Sequence, residues 1–233
     1  MDILLNVPFV EKDKAKKRGA KWNPKLKSWY TNDVGRLKDV SRWLDGCNIV
    51  CETLYLLKKW QICRRCEKTT SVYLLATDKS YAKEEDFRCN QNLQLLTYVM
   101  KMPAPLSGYL KEKRYYPAYS KTINDTYYIN HCQVCKAIQG DHFLHEIPEQ
   151  SFYAGLIYPD REPITYAKIK NTFCVPFEAC LPEYDRWNMS LELIFAHMET
   201  GRENRASLRI DQKLINGLLP ASILVDDIKI LGL

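Results

Sequence analysis

Two short cysteine turns carry the clearest chemistry in the chain, Cys63-Arg64-Arg65-Cys66 and Cys132-Gln133-Val134-Cys135. A CxxC turn aims two thiols at one point, and two such turns supply the four soft ligands that a closed tetrahedral zinc site takes. The spacing therefore predicts one structural Zn2+ held by Cys63, Cys66, Cys132 and Cys135, in the layout of a zinc ribbon. Four ligands fill the shell and leave no position for a substrate, so the site reads as a clasp and not as a reaction centre. The 65 residues between the turns (67–131) exceed the spacing of a compact ribbon, so the metal would staple distant parts of one domain. His131 is a further donor beside Cys132, and His142, His145 and Glu146 follow the second turn. Their HxxHE order lacks the i, i+4 pairing of a helical metalloprotease site and reads as polar residues on an outgoing segment.

Strands must position these turns. Thr53–Leu57 before the first turn, Ser71–Ala76 after it and Thr126–Asn130 before the second are rich in β-branched, aliphatic and aromatic residues. Arg64 and Arg65 sit inside the first turn, where only the flanking thiols need face the metal, so they are free to meet phosphate or to offset thiolate charge. Residues 78–125 read as an insertion: a charged run over 79–88, an apolar helix over Gln91–Met102 ended by Pro103-Ala104-Pro105, and a stretch around Lys113, Arg114 and Tyr115 that interleaves bases with aromatics. Interleaving of that kind suits a single-stranded nucleic acid, and it is also ordinary in an exposed strand.

The first 45 residues form a separate basic module. Ile3–Phe9 reads as a strand, Asp13–Arg18 as a helix with Gly19 as its stop, Ala20–Trp22 and Ser28–Tyr30 as strands joined by an Asn-Pro turn, and Gly35–Leu44 as a second helix, giving βαββα. Residues 1–44 hold 11 Lys and Arg against 5 Asp and Glu, so they contain the whole of the chain's +6 charge. Lys12, Lys16, Lys21, Lys25 and Lys27 could follow a phosphate backbone while Trp22, Trp29 or Tyr30 offers a flat face to a base. A module this short also needs its tryptophans as core.

The run LNVPFVEKDKAKKRGAKWNPKLKSWY resembles a small domain of unknown function of the DUF5710 type through Leu5, Val7, Pro8, Phe9, Glu11, Lys12, Asp13, Ala15, Lys16, Gly19, Ala20, Trp22, Asn23, Lys27, Trp29 and Tyr30. Such modules accompany primase, topoisomerase-like or exonuclease domains in plasmid and mobile-element proteins, so the resemblance implies a DNA-associated setting and carries no catalytic residue. The segment YYINHCQVCKAIQGDHFLHE resembles the second half of a zinc ribbon of uncharacterised bacterial proteins that share this module.

The chain has 233 residues, 46% hydrophobic and 27% charged, an ordinary folding composition. It has no apolar run of about 20 residues and no signal-like start, which points to a soluble cytoplasmic protein with no membrane partner. Nine cysteines, an odd number, argue for a reducing compartment. In the last third, Ser151–Tyr158 and Ile164–Ile169 read as strands, Met189–Met198 as a helix, and Cys174 and Cys180 as buried thiols. No phosphate loop, dinucleotide fingerprint or nucleophile elbow is present. The whole is an α+β chain with regions 1–45, 47–150 and 151–233. Its expected role is that of a zinc-stabilised, non-enzymatic partner of nucleic acid, DNA before RNA. The alternatives are an adaptor or inhibitor in phage defence or counter-defence that meets an acidic protein, and a metal-dependent nuclease built on Asp226 and Asp227.

Overall fold

The computed structural model describes residues 1–91, 93–146, 164–171, 173–181 and 223–224. The expected elements over 151–158 and 189–198, and the Asp226-Asp227 pair, lie outside them. The chain is α+β with sheet dominant. Its strands are β1 (Asp2–Leu5), β2 (Lys21–Asn23), β3 (Ser28–Thr31), β4 (Ile49–Cys51), β5 (Leu54–Ile62), β6 (Thr69–Thr77), β7 (Ser80–Ala82), β8 (Cys89–Asn90), β9 (Gln94–Lys101), β10 (Tyr115–Ser120), β11 (Asp125–His131), β12 (Ile138–Gln139), β13 (Thr165–Asn171), β14 (Phe173–Cys180) and β15 (Ile223–Leu224). Among the described residues three α-helices accompany them, α1 (Lys12–Lys17), α2 (Leu37–Val40) and α3 (Ala104–Glu112).

Most strands join one sheet in the order β15-β13-β5-β6-β9-β14-β1-β3-β2, and β10-β11-β12 form a second, smaller one. β14 is the hub, since it pairs antiparallel with β9 and β4 and parallel with β1. Strand pairing thus runs from residues 1–45 through the C-terminal segment into the strands that carry the first cysteine turn.

The centre of the sheet is buried on both faces. Leu54 to Leu57 of β5 are all buried, which is why the run reads as unbroken apolar sequence and not as an alternation. Leu56, Tyr73, Leu75 and Leu96 face a core closed by Leu106, Tyr109 and Leu110 of α3 and by Tyr115 of β10. Tyr55, Leu57, Val72, Leu74 and Leu95 face the other way, onto Leu144 and Ile164.

Two expectations are corrected here. Gln91–Met102 is no helix: residues 94–101 form β9, whose Gln94 to Leu96 pair with β6 and whose Thr97 and Lys101 pair with β14. Thr97-Tyr98-Val99 suits a strand, and the apolar spacing that mimics a helix comes from a local break at Tyr98, whose φ is 46°. The break leaves Leu96 and Val99 in the same core. Pro103-Ala104-Pro105 starts a helix instead of ending one, because proline is tolerated in a first turn where no N–H is needed. Leu106, Tyr109 and Leu110 then recur at helical spacing on the buried face.

Candidate metal centre

The first turn lies in the β5–β6 connection and the second in the β11–β12 connection, and they are built alike. In the first, the Cys63 N–H donates to the Lys68 carbonyl at 2.9 Å, and the Glu67 N–H to the Cys63 carbonyl at 2.9 Å. In the second, the Cys132 N–H donates to the Ala137 carbonyl at 2.8 Å and the Lys136 N–H to the Cys132 carbonyl at 3.0 Å. Each turn closes through a left-handed residue, Glu67 at φ 58° and Lys136 at φ 63°. Each also points a backbone N–H at its first sulfur, Arg65 to Cys63 Sγ and Val134 to Cys132 Sγ, both at 3.4 Å.

The strands bring all four sulfurs within 4.8 Å of one another. Cys63 and Cys135 Sγ are 3.6 Å apart, and Cys66 and Cys132 Sγ 3.7 Å. Those separations are far longer than a disulfide's ~2.05 Å. They match the edge of about 3.8 Å that a tetrahedron of ~2.3 Å metal–sulfur bonds requires. Cys63 and Cys132 are fully buried, and Cys66 and Cys135 form the partly exposed side.

The charge balance of the cluster points the same way. Burial opposes the Cys132 thiolate, but the N–H groups of Cys135 and Val134 outweigh it and hold the thiol down at about 6. At Cys135 the Ala137 N–H favours the thiolate, yet burial and the sulfurs of Cys66, Cys63 and Cys132 push it up to about 11. Four thiolates this close repel one another, and a bound cation removes the conflict. The cluster can hold a metal ion.

Second-layer contacts stiffen it. Gln139 Nε2 donates to Cys63 Sγ at 3.4 Å, while its Oε1 accepts from Gln61 Nε2 at 3.1 Å. The Gln133 N–H donates to Thr70 Oγ1 at 3.0 Å, and the Gln133 amide reaches Ser71 Oγ. His131 is turned away from the metal position, with Nδ1 3.0 Å from the Ile129 carbonyl and its ring flat on Tyr116, 3.8 Å between centroids at 8°. His142 and Glu146 belong to a π-helical turn, and among the described residues only the four cysteines form a metal-ligand group.

The proposed contact residues divide in two. Lys16, Lys21, Lys25 and Lys27 are exposed on the N-terminal module, and Lys12 is partly buried with Nζ 4.2 Å over the Phe9 ring. Arg64 stacks on Phe143 at 3.4 Å, which ties the first turn to the π-helical turn, and Arg65 is exposed. Lys113 and Arg114 mark the corner between α3 and β10. Trp29 and Tyr115 are corrected to core positions, 9% and 1% exposed. Trp29 pairs with Leu5 where β3 meets β1 near the edge of the large sheet and is covered edge-on by Trp22, while Tyr115 lies beneath α3. The indole available to a ligand on that module is Trp22, at 48% exposure. Cys180 is likewise exposed, whereas Cys174 is buried, which pushes its thiol up to about 12.

Two features escaped the sequence reading. Trp60, on β5 just before the first turn, is 54% exposed, with Lys58 Nζ 4.3 Å over its ring. Its signal was the switch from the buried Leu54–Leu57 run to the alternating Lys58, Trp60, Ile62. Asp141 is fully buried and accepts from the Tyr98 N–H at 2.7 Å. The Tyr98 break turns that N–H out of the strand ladder toward it.

Residues 3–45 match the family described as a domain of unknown function (DUF5710). The match covers under a fifth of the chain and brings no activity with it. No curated protein and no solved structure matches the chain. Among the described residues, no helix is long and apolar enough to cross a membrane.

Proposed function

We propose that the chain is a zinc-stabilised, non-enzymatic nucleic-acid-associated protein of a bacterial or mobile-element cytoplasm, with DNA preferred to RNA. The metal is zinc because four sulfur ligands at tetrahedral spacing suit it, and their completeness makes its role structural. The observation that supports the nucleic-acid reading is the concentration of the entire +6 charge in residues 1–44, with Lys16, Lys21, Lys25 and Lys27 exposed beside the half-exposed Trp22. Lysines of that kind track phosphates and release counterions when they bind.

Two measurements test this. Metal analysis of protein purified without chelator should give one zinc per chain, and a value well below one removes the clasp. Titration of labelled single- and double-stranded DNA and RNA across a salt series should show binding that weakens steeply as salt rises. Absent binding at low salt, or binding indifferent to salt, removes the nucleic-acid reading.

A second reading, a protein-binding adaptor or inhibitor, has one observation in its favour. Phe9 and Val10 project almost fully exposed from the turn before α1, and adjacent apolar side chains of that kind suit a protein surface. Under this reading Phe9→Ser with Val10→Ser leaves any DNA affinity unchanged, and polyglutamate binds in place of the oligonucleotide.

A further inference from the structure

The metal clasp arranges a second basic and aromatic surface, far in sequence from the N-terminal module. On β5 the even-numbered side chains share a face, so Lys58 and Trp60 continue the row begun by Leu56, which is buried against α3. Lys113 follows the last turn of α3 with its Nζ 5.3 Å from the Tyr109 ring. Leu56 of that row shares its core with Tyr109 and Leu110, which places the last turn of α3 over this face of β5, and the Lys58 pKa is lowered by burial and then by the Lys113 charge. Arg114 comes next, and its carbonyl accepts the His131 N–H at 2.8 Å, one residue before Cys132. On the other flank, Trp60 pairs across the ladder with Ser71, the residue that Gln133 of the second turn reaches. Trp60 and the Lys113–Arg114 corner are thus each one contact away from a cysteine turn, and the metal joins the turns.

We propose that this surface binds single-stranded nucleic acid, with a base stacked on Trp60 and the flanking phosphates held by Lys58, Lys113 and Arg114. The inference rests on the nucleic-acid reading above and adds a site and a strand type to it. A large indole left more than half in water, with the Lys58 ammonium over its ring, is complementary to a ligand that alternates flat rings with negative charge. A duplex hides the faces of its bases within the stack, so the selectivity is for unpaired strands. An acidic protein would use the cations but gain little from the indole.

The test is fluorescence anisotropy of a labelled dT15 strand and of a labelled duplex of the same length, with the zinc-loaded full chain at low salt. Trp60→Ala should weaken dT15 binding roughly tenfold, within the range for loss of one base–aromatic stack, and leave duplex binding within about twofold. Lys113→Ala with Arg114→Ala should flatten the salt dependence for dT15 by about 1.4 in log–log slope, two phosphate contacts' worth. All three positions are at the surface or partly so, and unchanged melting curves would confirm that the variants fold. If both variants bind dT15 as the parent does, the site is wrong while the nucleic-acid reading stands. If the parent binds neither probe, both fall. Binding of polyglutamate, but not of dT15, that depends on Trp60 would overturn the site in favour of an acidic protein.

Discussion

The N-terminal module is fastened by side-chain bonds made within its own 45 residues, although its core also takes in Val50, Tyr81, Phe87 and Cys174, whereas the middle region must bring Cys66 beside Cys132 before its defining contacts exist. In the module, Glu11 accepts from Arg42 Nη2 at 2.7 Å and from Trp43 Nε1 at 2.6 Å, fastening the start of α1 to the end of the second helical segment. α1 ends with paired bonds, Gly19 N–H to the Lys16 carbonyl and Ala20 N–H to the Ala15 carbonyl, both 3.0 Å, around a left-handed Gly19. Asn23 Oδ1 accepts from the Lys25 and Leu26 N–H groups and shapes the β2–β3 turn. Glu11, Ala15, Gly19, Ala20, Asn23 and Trp29, six of the positions that make the segment recognisable, therefore each have a folding task. Lys16 and Lys27 belong to the same set and lie exposed on the outside, where they would meet a ligand.

The comparison breaks most sharply when the metal is removed. Zinc bound to four thiolates contributes on the order of 10 kcal/mol to the folding of a site that the unfolded chain cannot form. Chelation, or Cys132→Ser, should abolish the cooperative unfolding of the middle region and expose Trp60 and its neighbours to proteolysis. The residues of the module should stay the better protected in hydrogen exchange, because their caps, and most of the core they share with Val50, Tyr81, Phe87 and Cys174, lie within the first 47 residues. A melting curve that does not respond to chelator or to Cys132→Ser would show that the middle region holds together without the clasp.

How much of this could be read beforehand follows from the range of the forces involved. The cysteine pairs, Gly19 and the Asn23 turn act within a few residues, so spacing alone reveals them. β9 was misread because its conformation is decided by β6 and β14 on either side, not by its own apolar spacing. Trp29 and Tyr115 look like contacts in a list of aromatics and bases, and only the packing of Trp22 and α3 over them makes them core. Trp60 was missed for the opposite reason. Its exposure shows locally only as the switch after Leu57, and its place beside the end of α3 is a relation across some 50 residues that this switch does not encode.

Charge separates the two regions as well. The module keeps its ionised groups at the surface, while the middle region buries the Asp141 carboxyl, and that burial, opposed by the Tyr98 N–H, raises its pKa from 3.8 to about 7. The folded state therefore binds this proton more tightly than the unfolded state does. The stability it contributes is fully present below pH 4 and is lost as pH rises to 7, by at most about 1.4 kcal/mol per pH unit. Asp141→Asn keeps an acceptor for Tyr98 and stays neutral, so the variant should gain on the parent by a few kcal/mol at pH 8 and by about 1 kcal/mol less at pH 6, where the thiolates can still hold a metal. Denaturant unfolding at the two pH values reads the difference directly. Equal gains at both would mean that Asp141 is not titrating in this range.

The smallest effects compare the same backbone conformation in the two regions. Gly19 sits at φ 94°, and a Cβ there would come within 2.9 Å of Arg36 Cδ, so Gly19→Ala meets both left-handed strain and a crowded side chain. It should destabilise the module by about 1–2 kcal/mol. Lys136, at φ 63° in the second cysteine turn, occupies the corresponding region of backbone space without being glycine. Lys136→Gly should therefore raise the stability of the zinc-loaded protein, by less than about 1 kcal/mol because glycine also frees the unfolded chain. Opposite signs at the two positions, measured as shifts in denaturation midpoint, would show that the metal-bound turn tolerates a strain that the stop of α1 avoids with Gly19. A loss at Lys136→Gly would instead assign that side chain a stabilising contact larger than the strain it carries.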